Sequence, residues 1–398
     1  MKGGAMITRW LLSALTLFCS GMAAPVLAQQ TPEAPPPKEF SATGLPADWH
    51  YGAYVDLSYI VNFNFPENHL WRSRSTAFRH NELAPNMALA YVRKDLSVDS
   101  RWGMELGLQD GYDTQNFAFL QGEREVAGAD TLRHFHRANV SYLAPIGTGL
   151  TITAGLFNSL IGHESLYAKD NFNYTRSWMA DNTPYMMFGA KASYSVSEEL
   201  TGTLFVINGY YHLASPNDQP SYGTQVAWKP TSKFTLTETF YAGPDQPNTS
   251  LEFWRLYLNN IAEWKDDRFT IALSYDIGTE NIERNPGSPR AFVMAGALFT
   301  KWNVSGPWSI AARPEFYWDR NGRWTGHEQF VKAMTTTLEY KIPYRWTNTM
   351  LRLEHRFDES TGAGGGFFKD GNVSPGMPGL TAAQHLLLLS VLWTFDSP

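Results

Sequence analysis

The chain has 398 residues, of which 14% are aromatic and only 18% charged; its formal charge is -6 and its mean hydropathy -0.31. A mildly acidic balance argues against a nucleic-acid partner. Read as a soluble protein, this length would predict two or three domains, but a polar average with so many aromatics suits one large barrel, where a lipid-facing apolar set and a water-facing polar set average out.

The N-terminus carries Lys2 and Arg9, then an apolar run from Trp10 to Phe18 that is too short to span a bilayer as a helix. Val26-Leu27-Ala28 precedes Gln29 with the residue sizes of a cleavage site. Residues 1–28 are therefore expected to be an export signal peptide. Its removal takes away two positive charges and the single cysteine, Cys19. Phe18, directly before Cys19, is too large for a lipoprotein acylation site. Disulfides, thiolate metal sites and cofactors are not expected in the exported chain. Residues 29–48 hold Pro32, Pro35, Pro36, Pro37 and Pro46, a composition that reads as a flexible periplasmic lead-in. Residues 49–398 are then the barrel.

From Trp49 onward no segment reaches the roughly 18 apolar residues of a spanning helix. Period-2 alternation recurs instead. Trp102, Met104, Leu106 and Leu108 oppose Gly103, Glu105, Gly107 and Gln109. Phe269, Ile271, Leu273, Tyr275 and Ile277 oppose Thr270, Ala272, Ser274 and Asp276. In 308–318, Trp308, Ile310, Ala312, Pro314, Phe316 and Trp318 share one face. In 351–358, Leu351, Leu353, His355 and Phe357 alternate with Arg352, Glu354, Arg356 and Asp358. Successive strand side chains point to opposite sides, so one face is apolar and the other wet. Pro314 within such a run predicts a bulge or irregularity.

Strands are predicted near 51–65, 83–95, 101–111, 132–143, 149–159, 184–196, 199–210, 222–229, 233–242, 251–264, 268–279, 291–302, 307–319, 330–342, 347–358 and 384–396. Short turns such as Ser197-Glu198 and Lys265-Asp266-Asp267 alternate with longer connections, the longest near 112–131, 160–183 and 359–383. This asymmetry is that of outer-membrane barrels. The expected fold is all-β: a single transmembrane antiparallel up-and-down β-barrel of about 16 strands (14–18), with both termini on one side. Tyr51, Trp102, Tyr142, Trp228, Trp264, Trp302, Tyr340 and Trp393 recur near strand ends, as interfacial girdles require. The last strand places Leu387, Leu389, Val391, Trp393 and Phe395 on one face, resembling the signal read by barrel-assembly machinery, although Asp396, Ser397 and Pro398 follow the terminal aromatic.

The central third carries Gly155, Phe157, Ile161-Gly162-His163-Glu164, Asn173-Tyr174-Thr175-Arg176-Ser177, Pro184, Gly189 and Asn208-Gly209-Tyr210. On these residues the chain resembles the β-barrel porin-2, or OmpL-like, family of outer-membrane proteins. The resemblance implies a single-chain barrel and porin-like transport, and no particular substrate.

Ser159 to Thr183 mixes charged and aromatic residues in a long connection. Two placements fit it: folded into the barrel as a constriction, or packed on the rim. Glu164 and Arg176 are its charged constriction candidates. The alternation assigns Glu105, Arg137, Lys191, Arg255, Asp276, Arg313, Glu315, Glu339, Arg352, Glu354 and Arg356 to the lumen, where opposed charge rows would either order water across a pore or pair and fill it. His134 and His136 share a face, but no third metal ligand accompanies them. His163-Glu164 has no nucleophile motif beside it, and the Gly362–Gly366 run lacks the lysine of a phosphate-binding loop.

The expected function is an outer-membrane porin for passive or weakly selective diffusion of small hydrophilic solutes or ions, in contact with outer-membrane lipid and lipopolysaccharide, with homo-oligomerisation left open. The alternatives are a barrel-embedded hydrolase and a structural barrel with a plugged lumen.

Overall fold

The computed structural model describes residues 48–397 apart from 116–128, 247–248, 250–252, 283–288 and 375–376. The expected signal peptide and the lead-in before Asp48 lie outside the described residues.

Sixteen antiparallel strands close a barrel. The first fifteen run in chain order from β1 (Trp49–Asn62) to β15 (Thr347–Thr361). After a separate two-stranded hairpin, β16 (Phe367–Ser374) and β17 (Met377–Thr381), the chain returns as β18 (Ala383–Asp396). The seam pairs β1 with β18 from Gly52↔Asp396 to Asn62↔Leu386, and β15 with β18 from Thr347↔Phe395 to Glu359↔Ala383. Closure leaves no unpaired edge, which lipid could not satisfy. The hairpin sits within the long connection expected near 359–383, to which the alternation assigns no strand; its pairing is broken twice, around Lys369/Asn372 and Asn372/Ser374.

The strand faces follow the period-2 pattern. On β15, Leu351, Leu353 and His355 are exposed, while Arg352, Glu354, Arg356 and Asp358 are buried. On β18, Leu387, Leu389, Val391 and Trp393 are exposed, while Leu386, Leu388 and Leu392 face inward and are buried. An apolar exterior is what lipid requires.

All eight aromatics expected to form girdles lie at the short-turn end. Trp102, Tyr142, Trp228, Trp302 and Trp393 are among those exposed there. The long-loop end is marked outside by Tyr59 and Tyr222.

Pro314 brings no bulge. The β12 (Ala291–Ser305)–β13 (Trp308–Asp319) register is the same on both sides of it, and only the pairs at Pro314 and Arg313 drop out of the ladder. The lost N–H faces a local gap and does not shift the strand. A true irregularity lies between β3 (Trp102–Asp110) and β4 (Phe135–Ala144), at Gly107/Leu108. It turns both His136 and Arg137 inward, against the alternation.

Candidate functional site: a loop across the bore

The connection from β5 (Leu150–Asn158) to β6 (Met186–Ser195), residues 159–185, folds into the barrel. Its neck is closed by Ser159 N donating to Tyr185 O at 3.0 Å. A glycine is required within β5, before the loop begins: Gly155 has φ 119°, and a Cβ there would meet Ala138 O at 2.2 Å. In the ring of sixteen strands β13 stands opposite β5, and β14 (Gln329–Tyr344) opposite β6. The loop's strongest anchors are on β13, β14 and β15, so it crosses the full diameter.

Those anchors use the charges predicted for the lumen, and they grip the loop's main chain. Arg352 donates to the carbonyls of Ala168 (2.8 Å), Asn171 (2.8 Å) and Asn173 (3.2 Å). Glu354 accepts from Tyr174 N (2.6 Å), Thr175 N (2.9 Å), Thr175 Oγ1 (2.5 Å) and Thr337 Oγ1 (2.6 Å). Arg356 donates to Arg176 O (2.8 Å) and pairs with Asp358 and Glu315. Arg313 donates to Thr175 O (2.7 Å) and pairs with Glu164 at 2.7 Å. Glu315 accepts from Trp178 N (2.6 Å), and Asp358 from Trp178 Nε1 (2.8 Å). Ser177 caps the short helix Trp178–Asp181 by accepting from Ala180 N.

Other walls hold the remaining loop. Tyr174 OH bonds Asp56 and Asn86; Tyr167 OH bonds Gln109 and His136. Gln225 and Thr239 both donate to Leu160 O. Asn259 accepts from Gly162 N, and Glu263 meets His163 at 3.1 Å. A hydrogen bond to a charged group contributes about 1.5–3 kcal/mol, so this set fixes the loop far more firmly than surface contacts would.

Outer loops pack on top. Arg74 pairs with Asp181 at 2.6 Å and lies over the rings of Trp71 and Trp178. Arg176 pairs with Asp113 at 2.9 Å and also donates to Leu166 O. On the other side Arg255 pairs with Asp245 and Glu280, both at 2.7 Å, and stacks on Tyr210 and Trp324. Asp245 accepts from Tyr210 N. Asp276 holds Tyr257 OH (2.7 Å) and Asn259 Nδ2 (2.6 Å). Every barrel strand thereby contributes an inward side chain that water scarcely reaches. Asp56, Arg137, Phe205, Tyr257, Glu354 and Leu388, for example, are 0–5% exposed.

The structure thus brings Glu164, Arg176, Arg313, Glu315, Glu339, Arg352, Glu354 and Arg356 to the loop or its anchor wall. Glu339 pairs with Arg352 (2.7 Å) and Lys301 (3.0 Å). Arg255 is set apart in the outer cluster. Glu105, Arg137 and Lys191 face the opposite side of the lumen. Arg137 donates to the Asn158 side chain and lies 3.9 Å from Glu105; Lys191 sits over the Phe157 ring. Glu105, Lys191, Glu263 and Lys341 keep partial exposure. Of the two arrangements expected for the rows at Arg313–Glu315 and Arg352–Glu354–Arg356, water-ordering or paired and filling, they take the second, closed onto the loop and not turned to water. Sequence reasoning missed Trp71, Arg74, Asp245 and Tyr210. The signal for them was an aromatic beside a charge in a long loop, without a partner legible nearby.

The histidines and the Ser/His/Glu set stay apart. His134 is half-exposed near Asp110, while His136 is buried against Tyr167. His163 turns to Glu263 and Glu164 to Arg313, and Ser159 Oγ donates to Ile161 O. Among the described residues no group of three His, Cys, Asp or Glu stands together as metal ligands.

A closed sixteen-strand barrel with an apolar exterior and a polar loop folded across its bore defines an outer-membrane porin. The chain belongs to the family described as "Putative beta-barrel porin-2, OmpL-like", whose model matches residues 49–395. Among solved structures it is similar to an anion-selective porin from Comamonas acidovorans, with TM-score 0.55 and 9% identity over 87% of this chain and 99% of that one. It is similar to the outer-membrane channel DcaP of Acinetobacter baumannii, with TM-score 0.53 and 8% identity over 90% and 99%. OmpF of Salmonella typhi, in complex with daunomycin, gives TM-score 0.51 and 11% identity over 87% and 97%. At these identities the likeness concerns the fold alone. No curated protein matches the chain.

Proposed function

We propose that this porin passes small hydrophilic solutes by passive, weakly selective diffusion, and that loop 159–185 is its gate. One observation carries the reading: the loop crosses the bore and is held by side chains, not by the barrel's own ladder. Displacing it breaks anchors and leaves the wall intact. The partly exposed Glu105, Lys191, Glu263 and Lys341 carry both signs, which supports weak rather than strict charge selection. We read the chain as a channel and not an enzyme, because Ser159, His163 and Glu164 are each engaged with separate partners.

The burial of the mid-lumen ring favours a second reading, a permanently plugged structural barrel. Liposome-flux assays with sugars, amino acids and organic anions separate the two. Flux that falls with solute size supports the porin reading. Impermeability of correctly folded barrels to every solute supports the plug.

A further inference from the structure

Glu238 stands on β9 (Phe234–Pro244) and is exposed on the barrel exterior. Its neighbour Thr239 points inward to Leu160 O, so Glu238 must point to lipid. Its cross-strand partner is Asn260 on β10 (Trp254–Lys265). Asn259 points inward to Gly162, so Asn260 faces outward too. The same row continues to Tyr275 on β11 (Phe269–Glu280), which is also exposed. A carboxylate, an amide and a phenol therefore occupy consecutive exterior positions. Among the described residues none of the three side chains makes a hydrogen bond.

Depth makes this row anomalous. Glu238 is four residues above Phe234, and Asn260 four from Trp264, both aromatics of the short-turn end. With a rise of about 3.3 Å per residue and a tilt of about 40°, the pair lies roughly 10 Å above that girdle, within an apolar band about 25 Å tall. The wall across the barrel shows what lipid selects: Leu57, Leu351, Leu353, Leu387, Leu389 and Val391. An ionisable side chain at mid-depth needs a partner that lipid tails do not supply.

We infer that the β9–β11 exterior is a contact between two copies of this chain. The row is self-complementary: the Glu238 carboxylate accepts, whereas the Asn260 amide and the Tyr275 hydroxyl donate. A two-fold axis along the membrane normal between β9 and β10 sets each carboxylate against the other copy's donors, as an isologous contact requires. Both copies keep the same orientation in the membrane.

The test uses the full chain in intact outer membranes and then in detergent. Leu258→Cys, one outward position from Asn260, is treated with a short bismaleimide; Leu389→Cys on the far wall is the control. A dimer band is expected from Leu258→Cys and none from Leu389→Cys, with a dimer mass for the unmodified protein by native mass spectrometry. Adding Glu238→Leu and Asn260→Leu is expected to lower the Leu258→Cys cross-link at least tenfold and give monomers with the barrel still folded by heat-shifted gel mobility. Glu238→Gln, which keeps an acceptor, is expected to stay dimeric. A monomeric unmodified protein without cross-link, indicating lipid or lipopolysaccharide on this wall, overturns the inference. So does a cross-link at Leu389→Cys instead, or one that the double leucine variant leaves unchanged.

Discussion

Arg352→Ala separates the gate from the wall that holds it. The guanidinium makes three bonds to loop carbonyls and one ion pair to Glu339. Its removal leaves Glu339 with Lys301 at 3.0 Å and Ser309 at 3.1 Å, so no carboxylate is stranded. The loss therefore falls on the loop. With no charge stranded, what is lost is the guanidinium's hydrogen bonds to loop carbonyls, and a hydrogen bond to a charged group contributes about 1.5–3 kcal/mol. At about 1.4 kcal/mol per tenfold, the loss of even one such contribution should raise the open population roughly ten- to a hundred-fold. The β14–β15 and β15–β18 ladders do not use this side chain, so barrel folding should survive. Planar-bilayer recording of the folded variant should show frequent, longer open steps where the unmodified protein shows few. An unchanged open probability in a variant of normal heat-shifted mobility would refute the claim that these anchors hold a gate.

Three further outcomes are expected. His80, in the loop after β1, is buried and accepts from Asn62 Nδ2 at 2.9 Å; burial lowers its pKa from 6.5 to about 3. The opened loop takes up the proton first, so this contribution is complete above about pH 6.5 and is lost as pH falls toward 3. The slope is about 1.4 kcal/mol per pH unit, or about 2 kcal/mol at pH 5, and hydrogen exchange of residues 70–80 should accelerate accordingly; equal protection at pH 7 and 5 contradicts this. Leu389→Arg puts a cation on the lipid face and should destabilise the folded barrel by about 2–4 kcal/mol in vesicles, read as a lower urea midpoint. Lys191→Glu should move reversal potentials toward cation preference in salt gradients; no shift would place Lys191 off the conduction path.

The strands were legible because lipid and lumen each demand one kind of side chain. Leu351 through Asp358 or Trp308 through Trp318 show both faces in their alternation. Where geometry departs from period 2, the reading failed: the Gly107/Leu108 irregularity placed His136 and Arg137 on one side. The β16–β17 hairpin was missed because Gly364, Gly365, Gly366, Gly371 and Gly379 carry no apolar pattern. The loop's composition suggested an inward fold but could not decide it. Arg352 grips carbonyls of Ala168, Asn171 and Asn173, and a main-chain acceptor leaves no mark on residue identity. The partners of Arg74, Arg176 and Arg255 were equally hidden, because Asp181, Asp113 and Asp245 meet them only after the outer loops converge.

The gate itself can be tied down reversibly. Asn173 of the loop donates to Thr337 of β14 at 2.7 Å, and Cys19 is the chain's only cysteine. Asn173→Cys with Thr337→Cys, joined by a short bis-methanethiosulfonate, should abolish solute flux into liposomes, and reductant should restore it. Full flux through barrels whose linkage is verified by mass would show that solutes do not wait for this loop to move.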